Sequence, residues 1–130
     1  MDKDKMLEIT ERFLDAWNTG DPETVASCYT DDVVYRDPNT NGTINGGADL
    51  RRYLVKLLAA WDMTWALREA YLFEDGNGCA ALWHATAKKS GGSQVVEFDG
   101  MDLVLVEGEL VSRNEVNFDR TALAPLLAGA

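Results

Sequence analysis

The sequence predicts an α+β fold, with helices in the first half of the chain and an antiparallel sheet in the second half. Up to about residue 61, apolar residues recur at spacings of three and four, which is typical of amphipathic helices. Beyond that point they alternate with a period of two between short glycine-containing turns, which is typical of an antiparallel meander. We therefore expect the helices to pack on one face of a sheet that twists into a concave surface.

The first half of the chain contains three predicted helices and one short strand. The apolar stripe of the first helix consists of Met6, Ile9, Phe13, Ala16 and Trp17. Asp21 is the predicted N-cap of the second helix, and Pro22 occupies its first position. The β-branched and aromatic run 33–35 predicts a strand, and a glycine-rich loop follows over 41–47. The apolar face of the third helix consists of Leu50, Tyr53, Leu54, Leu57, Leu58 and Trp61.

The second half of the chain predicts four strands joined by hairpin turns. Their approximate bounds are 63–74, 79–89, 93–106 and 110–118. The intervening segments DGNG, SGG and EGE all have the composition of tight turns. Asp119 is expected to cap a last short helical turn that stops around Pro125.

The composition limits the partners that this chain can bind. Its 130 residues include 12 basic and 22 acidic side chains, a net charge of −10, so nucleic acid and anionic membrane surfaces are not expected partners. Hydrophobic residues make up 46% of the chain, which predicts one folded domain over 1–130 rather than an acidic disordered segment. The N-terminus has no signal-peptide pattern and no apolar run is long enough to span a bilayer, so a cytoplasmic location is expected.

No motif for a metal ion or a cofactor is found in the sequence. Cys28 and Cys79 lack zinc-ligand spacing, and a single histidine cannot form a histidine–carboxylate cluster. The two cysteines are interpreted as buried free thiols, with one disulfide as the alternative. Neither a Walker-type loop nor a dinucleotide GxGxxG loop is present. We therefore expect neither a metal nor a cofactor.

Two aspartates stand out from the other acidic residues. In the strand 93–106, the even-numbered face is apolar except for Asp102, so this carboxyl group is expected to be buried with a raised pKa. The alternative is that a bulge at Gly100 turns Asp102 towards solvent. Asp37 ends the first predicted strand ahead of Pro38, where site residues often lie, although Asp-Pro is also a common turn opener.

Two further polar sets have both a functional and a structural interpretation. His84 shares a strand face with Leu82 and Thr86, and it is either a hydrogen-bonded core group or a proton-transfer residue. The last strand presents three polar residues on one face. These either contact a ligand in a cavity or form a solvated surface, and the sequence slightly favours the solvated surface. The three are Arg113, Glu115 and Asn117.

Four segments together resemble the nuclear-transport-factor-2-like superfamily, in particular its SnoaL-like and ketosteroid-isomerase-like members. The segments are FLDAWNTGD at 13–21, YTDDVVYRDP at 29–38, INGG at 44–47 and NEVNFD at 114–119. The resemblance covers nearly the whole chain. It implies a cone in which a strongly curved antiparallel sheet wraps around the three N-terminal helices and leaves a deep pocket. It also implies a homodimer formed through the sheet.

The resemblance to ketosteroid isomerases implies roles for individual residues. Asp37 matches the ionised general base, and Asp102 matches the neutral aspartic acid that donates to the oxyanion. Phe13 stands where that family has an oxyanion tyrosine, and His84, at a pocket position, is a candidate substitute donor. The Asp-Arg-Asp set of epoxide hydrolases has no counterpart, because Gly100 stands where the arginine would precede Asp102.

These roles imply a cofactor-independent isomerase, cyclase or dehydratase that acts on a small apolar carbonyl compound resembling a steroid or polyketide. The expected catalytic residues are Asp37, Asp102 and His84. The expected ligand contacts are Phe13, Trp17, Tyr53, Leu82, Phe98, Arg113, Glu115 and Asn117. The alternatives are a non-catalytic module of this fold that binds a small molecule or a protein, and a structural dimerisation unit with a filled pocket.

Overall fold

The computed structural model describes residues 1–128, which form a six-stranded sheet with helices packed on its inner face. The α-helices are α1 (Lys3–Asn18), α2 (Pro22–Ala26), α3 (Gly47–Ala60) and α4 (Ala124–Ala128), and a 3-10 turn covers Arg120–Leu123. The strands are β1 (Tyr29–Arg36), β2 (Ile44–Asn45), β3 (Trp61–Leu72), β4 (Gly78–Lys89), β5 (Val96–Glu107) and β6 (Leu110–Asn117). The α+β class and the four-stranded meander predicted from the sequence are confirmed.

The strand order is β2-β1-β6-β5-β4-β3, so the first and last long strands are neighbours. After β2 the chain forms α3 and enters the sheet at the opposite edge as β3, and the meander then returns towards β1. As a consequence β1 pairs with β6 in parallel, whereas all other neighbours are antiparallel. This long-range pair places the end of β1 beside the middle of β6, which positions the site described below.

The predicted helix caps form as the side-chain chemistry dictates. The carboxylates of Asp21 and Asp119 accept the backbone N–H groups of Thr24 and Thr121, each at 3.0 Å. One boundary was predicted wrongly, because the C-terminal helix continues through Ala128 rather than stopping at Pro125. Pro125 lies in the first turn of α4, where a helix needs no N–H donor and proline is tolerated.

Burial alternates along the central strands, so that odd-numbered residues of β4 and even-numbered residues of β5 face the helices. The apolar stripe of α1 and the side chains of Leu50 and Leu54 on α3 pack against this inner face. The outer face of the sheet carries half-exposed and exposed side chains, so His84, which lies on this face of β4, is not the core group that one interpretation of the sequence expected. Both cysteines are free thiols; Cys79 is buried and Cys28 is half-buried.

Within residues 1–128, no helix is both long enough and apolar enough to cross a membrane.

Candidate functional site

A pocket with a mainly apolar lining lies between α1, α3 and the inner face of the sheet. It is lined by Leu14, Trp17, Tyr35, Asp37, Asn39, Leu57, Met63, Trp65, Asp102, Val116 and Phe118. The empty space is about 440 Å³ including the part open to solvent, but the centre of a water molecule can reach only about 30 Å³ of it. The pocket is therefore narrow, and its carboxyl groups belong to Asp37 and Asp102.

Asp102 is buried at the inner end of this pocket, with 5% of its surface exposed. Its Oδ1 accepts the indole N–H of Trp83 at 2.9 Å, and its Oδ2 accepts an amide N–H of Asn114 at 3.1 Å. Burial raises the pKa of Asp102 to about 7, the two N–H donors oppose this rise, and the charge of Asp37 adds to it. The predicted burial of Asp102 is therefore present, and a bulge at Gly100 does not turn it outwards.

The amide of Asn114 belongs to a buried hydrogen-bond chain that crosses the core. The indole N–H of Trp17 donates to the Tyr29 hydroxyl at 3.2 Å, and that hydroxyl donates to Asn114 Oδ1 at 2.9 Å. The amide nitrogen of Asn114 in turn donates to Asp102 and to the carbonyl oxygen of Leu103, the latter at 3.2 Å. Both ends of this chain, Trp17 and Asp102, line the pocket.

Asp37, the second carboxyl group of the pocket, lies directly after β1. Its Oδ2 accepts the hydroxyl groups of Tyr35 and Tyr53, both at 2.7 Å. Its Oδ1 accepts the backbone N–H groups of Asn39 and Thr40 at 2.7 and 3.0 Å. Asp37 is therefore both the turn opener and a pocket residue, so the two interpretations from the sequence are compatible.

The sequence matches the family model described as SnoaL-like domain over residues 10–114. This chain belongs to the SnoaL-like domain family. A search of curated proteins gives no match to it.

Solved structures with the same fold cover nearly all of this SnoaL-like chain. A provisionally assigned isomerase from Bacillus subtilis is 12% identical, with a TM-score of 0.86 over 100% of this chain and 98% of its own. The BvnE pinacolase from Penicillium brevicompactum is 17% identical, with a TM-score of 0.81 over 97% and 94%. An M. tuberculosis LEH-like epoxide hydrolase is 20% identical, with a TM-score of 0.77 over 96% and 91%. At these identities the likeness shows the fold alone, because one fold hosts several reactions.

His84 does not reach the pocket of this SnoaL-like domain. Its ring lies on the outer face of β4, where Nδ1 is 2.8 Å from Asp99 Oδ1 and Nε2 is 3.0 Å from Glu97 Oε1. These two carboxylates raise the pKa of the imidazole. The expectation that His84 acts in the pocket is therefore wrong. Leu82, an expected ligand contact, lies on the same outer face and does not line the pocket either.

The polar face of the last strand is also an outer surface. Arg113, Glu115 and Asn117 lie on the side of β6 opposite to Val116, which lines the pocket. Arg113 pairs with Glu115, and Asn117 is exposed. The solvated interpretation is the correct one for these residues, and their expected contact with a pocket ligand is corrected.

The aromatic candidates divide between the pocket and the core around it. Trp17 lines the pocket, and Tyr53 contacts Asp37 at its edge. Phe13 is buried behind Trp17, with its ring edge-on to Tyr29 at 5.4 Å, and does not line the pocket. Phe98 packs in a second cluster with Phe118, so it supports the pocket wall from behind.

Sequence reasoning missed several polar residues of the site. Tyr35, Asn39 and Asn114 were not singled out, although Tyr35 shares strand parity with Asp37 and that signal was available. Asn114 is even-numbered, so strand parity places it on the same face as Val116, but nothing in the local pattern pairs it with Asp102. Among residues 1–128, no group of three histidine, cysteine, aspartate or glutamate side chains forms a metal-binding cluster.

Proposed function

We propose that this SnoaL-like domain catalyses proton transfer on a small, largely apolar carbonyl compound, in an isomerisation, cyclisation or dehydration. The support comes from two carboxyl groups that line one pocket in different environments. Asp37 accepts four hydrogen bonds from protein donors, whereas Asp102 is buried and its pKa is raised to about 7. Two carboxyl groups in different environments are a common basis for separate acid and base roles.

One observation carries the proposal. Both protein partners of Asp102, the indole N–H of Trp83 and the amide N–H of Asn114, are donors that cannot accept a proton. When Asp102 is protonated, its O–H group therefore has no acceptor among these partners. Since Asp102 lines the pocket, that O–H group is available to the oxygen atom of a bound ligand.

In the proposed reaction, Asp37 removes a proton from the carbon next to the carbonyl group. The C–H electron pair moves into the enolate, and the Asp102 O–H group donates a hydrogen bond to its oxygen. In an isomerisation the proton on Asp37 then returns to another carbon, and in a dehydration it leaves with the hydroxyl group. In an aldol-type cyclisation the enolate carbon attacks a second carbonyl carbon of the same molecule, whose oxygen takes the proton. The Tyr35 and Tyr53 hydroxyls occupy Oδ2 of Asp37, so one of them must turn away to open a lone pair for the incoming proton.

The test measures exchange of the hydrogens next to the carbonyl group in D₂O for a panel of apolar ketones. This exchange reports proton abstraction whatever reaction follows it. Asp37→Asn is expected to reduce the exchange rate by about 100-fold or more, the usual contribution of a general base. Asp32→Asn, on the exposed side of β1, is the matched control. An unchanged rate in Asp37→Asn would refute the base role.

The second candidate function is a non-catalytic module that binds a small molecule in the same pocket. Its specific support is that all of the hydrogen bonds expected of the Asp37 carboxylate are already made within the protein. A ketone that raises the melting temperature while wild-type protein gives no exchange would favour this function.

A homodimer through the sheet stays a proposal, supported by the exposed apolar side chains of Tyr71 and Met101 on its outer face.

A further inference from the structure

We propose that Asn114 is a positioning residue that holds Asp102 between two protein donors and so directs the proton of this acid into the pocket. The inference deepens the proposed function and rests on the role of Asp102 as the neutral acid. Asn114 is fully buried and touches Asp102 rather than the ligand space, since it does not line the pocket. Its effect would therefore be transmitted through Asp102.

The orientation of the Asn114 amide is determined from one side by the backbone. The carbonyl oxygen of Leu103 can only accept a hydrogen bond, and it lies 3.2 Å from the amide nitrogen. The second N–H of the same nitrogen then donates to Asp102 Oδ2 at 3.1 Å. Both N–H groups of the amide are thereby used, and each has an acceptor.

The orientation is determined from the other side by Trp17. Its indole N–H can only donate, so the oxygen of the Tyr29 hydroxyl accepts it and the Tyr29 proton is directed to Asn114 Oδ1. The chain thus runs in one direction, from Trp17 through Tyr29 and Asn114 to Asp102. All of its members are at least nine-tenths buried, so water does not offer alternative partners.

A reversed Asn114 amide would change the chemistry of Asp102. The amide oxygen would then face Asp102 Oδ2 and accept the proton of the neutral acid, which would no longer be available to a ligand. The reversed amide would also place its own oxygen against the carbonyl oxygen of Leu103, and its N–H group against the hydroxyl proton of Tyr29. Both contacts are unfavourable in a buried site. The observed direction is the one that keeps Asp102 as a donor to the pocket.

Removal of the Asn114 N–H has a predictable effect on the proton affinity of Asp102. This hydrogen bond favours the charged form of the carboxyl group, so its loss should raise the pKa of Asp102. The other titratable groups that face Asp102 are Asp37, Tyr29 and Cys79. Burial raises the pKa of both the Tyr29 hydroxyl and the Cys79 thiol, so both stay neutral while Asp102 titrates.

The experiment is an NMR titration of the Asp102 carboxyl carbon in wild-type protein and in three variants, which needs no substrate. Asn114→Leu keeps the side-chain size and should raise the pKa of Asp102 by about one unit, a tenfold change in its protonation constant. Tyr29→Phe removes the donor to Asn114 Oδ1 and leaves only the Leu103 carbonyl oxygen to hold the amide, so the amide can reverse in part and a smaller rise in the pKa of Asp102 is expected. Asn117→Leu, on the exposed outer face of the same strand, should cause no shift.

The outcomes separate this inference from the proposed function. A wild-type Asp102 that titrates near 4 would overturn the proposed acid role itself. A wild-type value near 7 that changes in neither Asn114→Leu nor Tyr29→Phe would overturn only the positioning role, even if both variants were less stable. If Asn114→Leu does not fold, the Tyr29→Phe titration decides alone. In the exchange assay, the rate should fall at high pH as Asp102 loses its proton. The positioning role predicts that this fall occurs at a higher pH in Asn114→Leu than in the wild type.

Discussion

The burial of Asp102 makes the stability of this domain depend on pH in a direction opposite to that of most proteins with paired carboxylates. We expect the free energy of unfolding to fall as the pH rises from about 4 to about 8. The reason is that the folded state holds a proton on Asp102 over this range, whereas the unfolded chain has already released it. Asp102→Asn, which carries no charge at any pH, should lack this contribution.

The size of the effect follows from two pKa values. The pKa of Asp102 is about 7 in the folded protein, compared with about 3.9 for an aspartate in an unfolded chain. Each unit of this difference corresponds to about 1.4 kcal/mol, so Asp102 should remove about 4 kcal/mol of stability between pH 4 and pH 8. The stabilising contribution is complete below the unfolded value and is lost as the pH passes through the folded value.

Other titratable groups contribute to stability in other pH ranges, or contribute equally to the wild type and to Asp102→Asn. The exposed carboxyl groups of Asp21, Asp99, Glu109 and Asp119 have lowered pKa values, so their contributions are lost only at acidic pH, as the pH falls through those values. The raised pKa of His84 acts in the same direction as that of Asp102, but only above the unfolded histidine value of about 6.5. His84 is present in both proteins, so the difference between wild type and Asp102→Asn isolates the aspartate.

The assay is urea unfolding followed by tryptophan fluorescence at half-unit steps from pH 4.5 to pH 8.5. The difference in unfolding free energy between the wild type and Asp102→Asn should change by about 1.4 kcal/mol per pH unit up to about pH 7, and then level off. In the variant one amide N–H group opposes a donor, which lowers its stability at every pH, and this offset does not affect the slope. Parallel curves across the whole range would refute the burial argument.

Two further predictions concern the sheet around the site. Gly100→Ala should destabilise the fold by about 1–3 kcal/mol in urea unfolding, because a Cβ there would lie 2.4 Å from the Trp83 ring and 2.7 Å from the Asn117 carbonyl oxygen. It should also shift the titration of Asp102, since Trp83 would have to move; a variant as stable as wild type would contradict the close packing. His84→Ala should leave the D₂O exchange rate unchanged, because the imidazole lies on the outer face, and a tenfold loss would show that His84 acts in the reaction.

The two key carboxyl groups were predictable from the sequence because each has a local signal. Asp102 interrupts an apolar row with a period of two, and β5 has no irregularity between Val96 and Asp102 that would change its parity. Asp37 ends a β-branched strand ahead of a proline. Local periodicity is reliable in such places, because side chains alternate between the two faces of a strand wherever the ladder is regular.

Periodicity shows that residues share a face, but it does not show which face the helices cover. On β4, the set containing Trp83 is apolar except for the last residue of the strand, whereas the set containing His84 mixes two apolar residues with Thr86 and Lys88, and the burial pattern shows that the mixed set faces outwards. The polar face of β6 likewise faces outwards. Hydrogen bonds between distant segments are a second limit, since Tyr29 and Asn114 meet 85 residues apart through the parallel β1–β6 pair. No local pattern predicts that pair, which depends on the crossover through α3.

The energetic position of Asp102 argues for a function rather than for a structural role. The burial of this carboxyl group lowers the stability of the folded state at neutral and alkaline pH, and an apolar residue at this point of β5 would avoid that penalty. Nevertheless, the fold supplies two N–H donors to this carboxyl group, and one of them is oriented by Tyr29 and Trp17. A structural acid would be expected to pair with a cation or to be fully satisfied. In the proposed reaction, the neutral form of Asp102 keeps one donor towards the pocket, which is the property that a proton-transfer site needs.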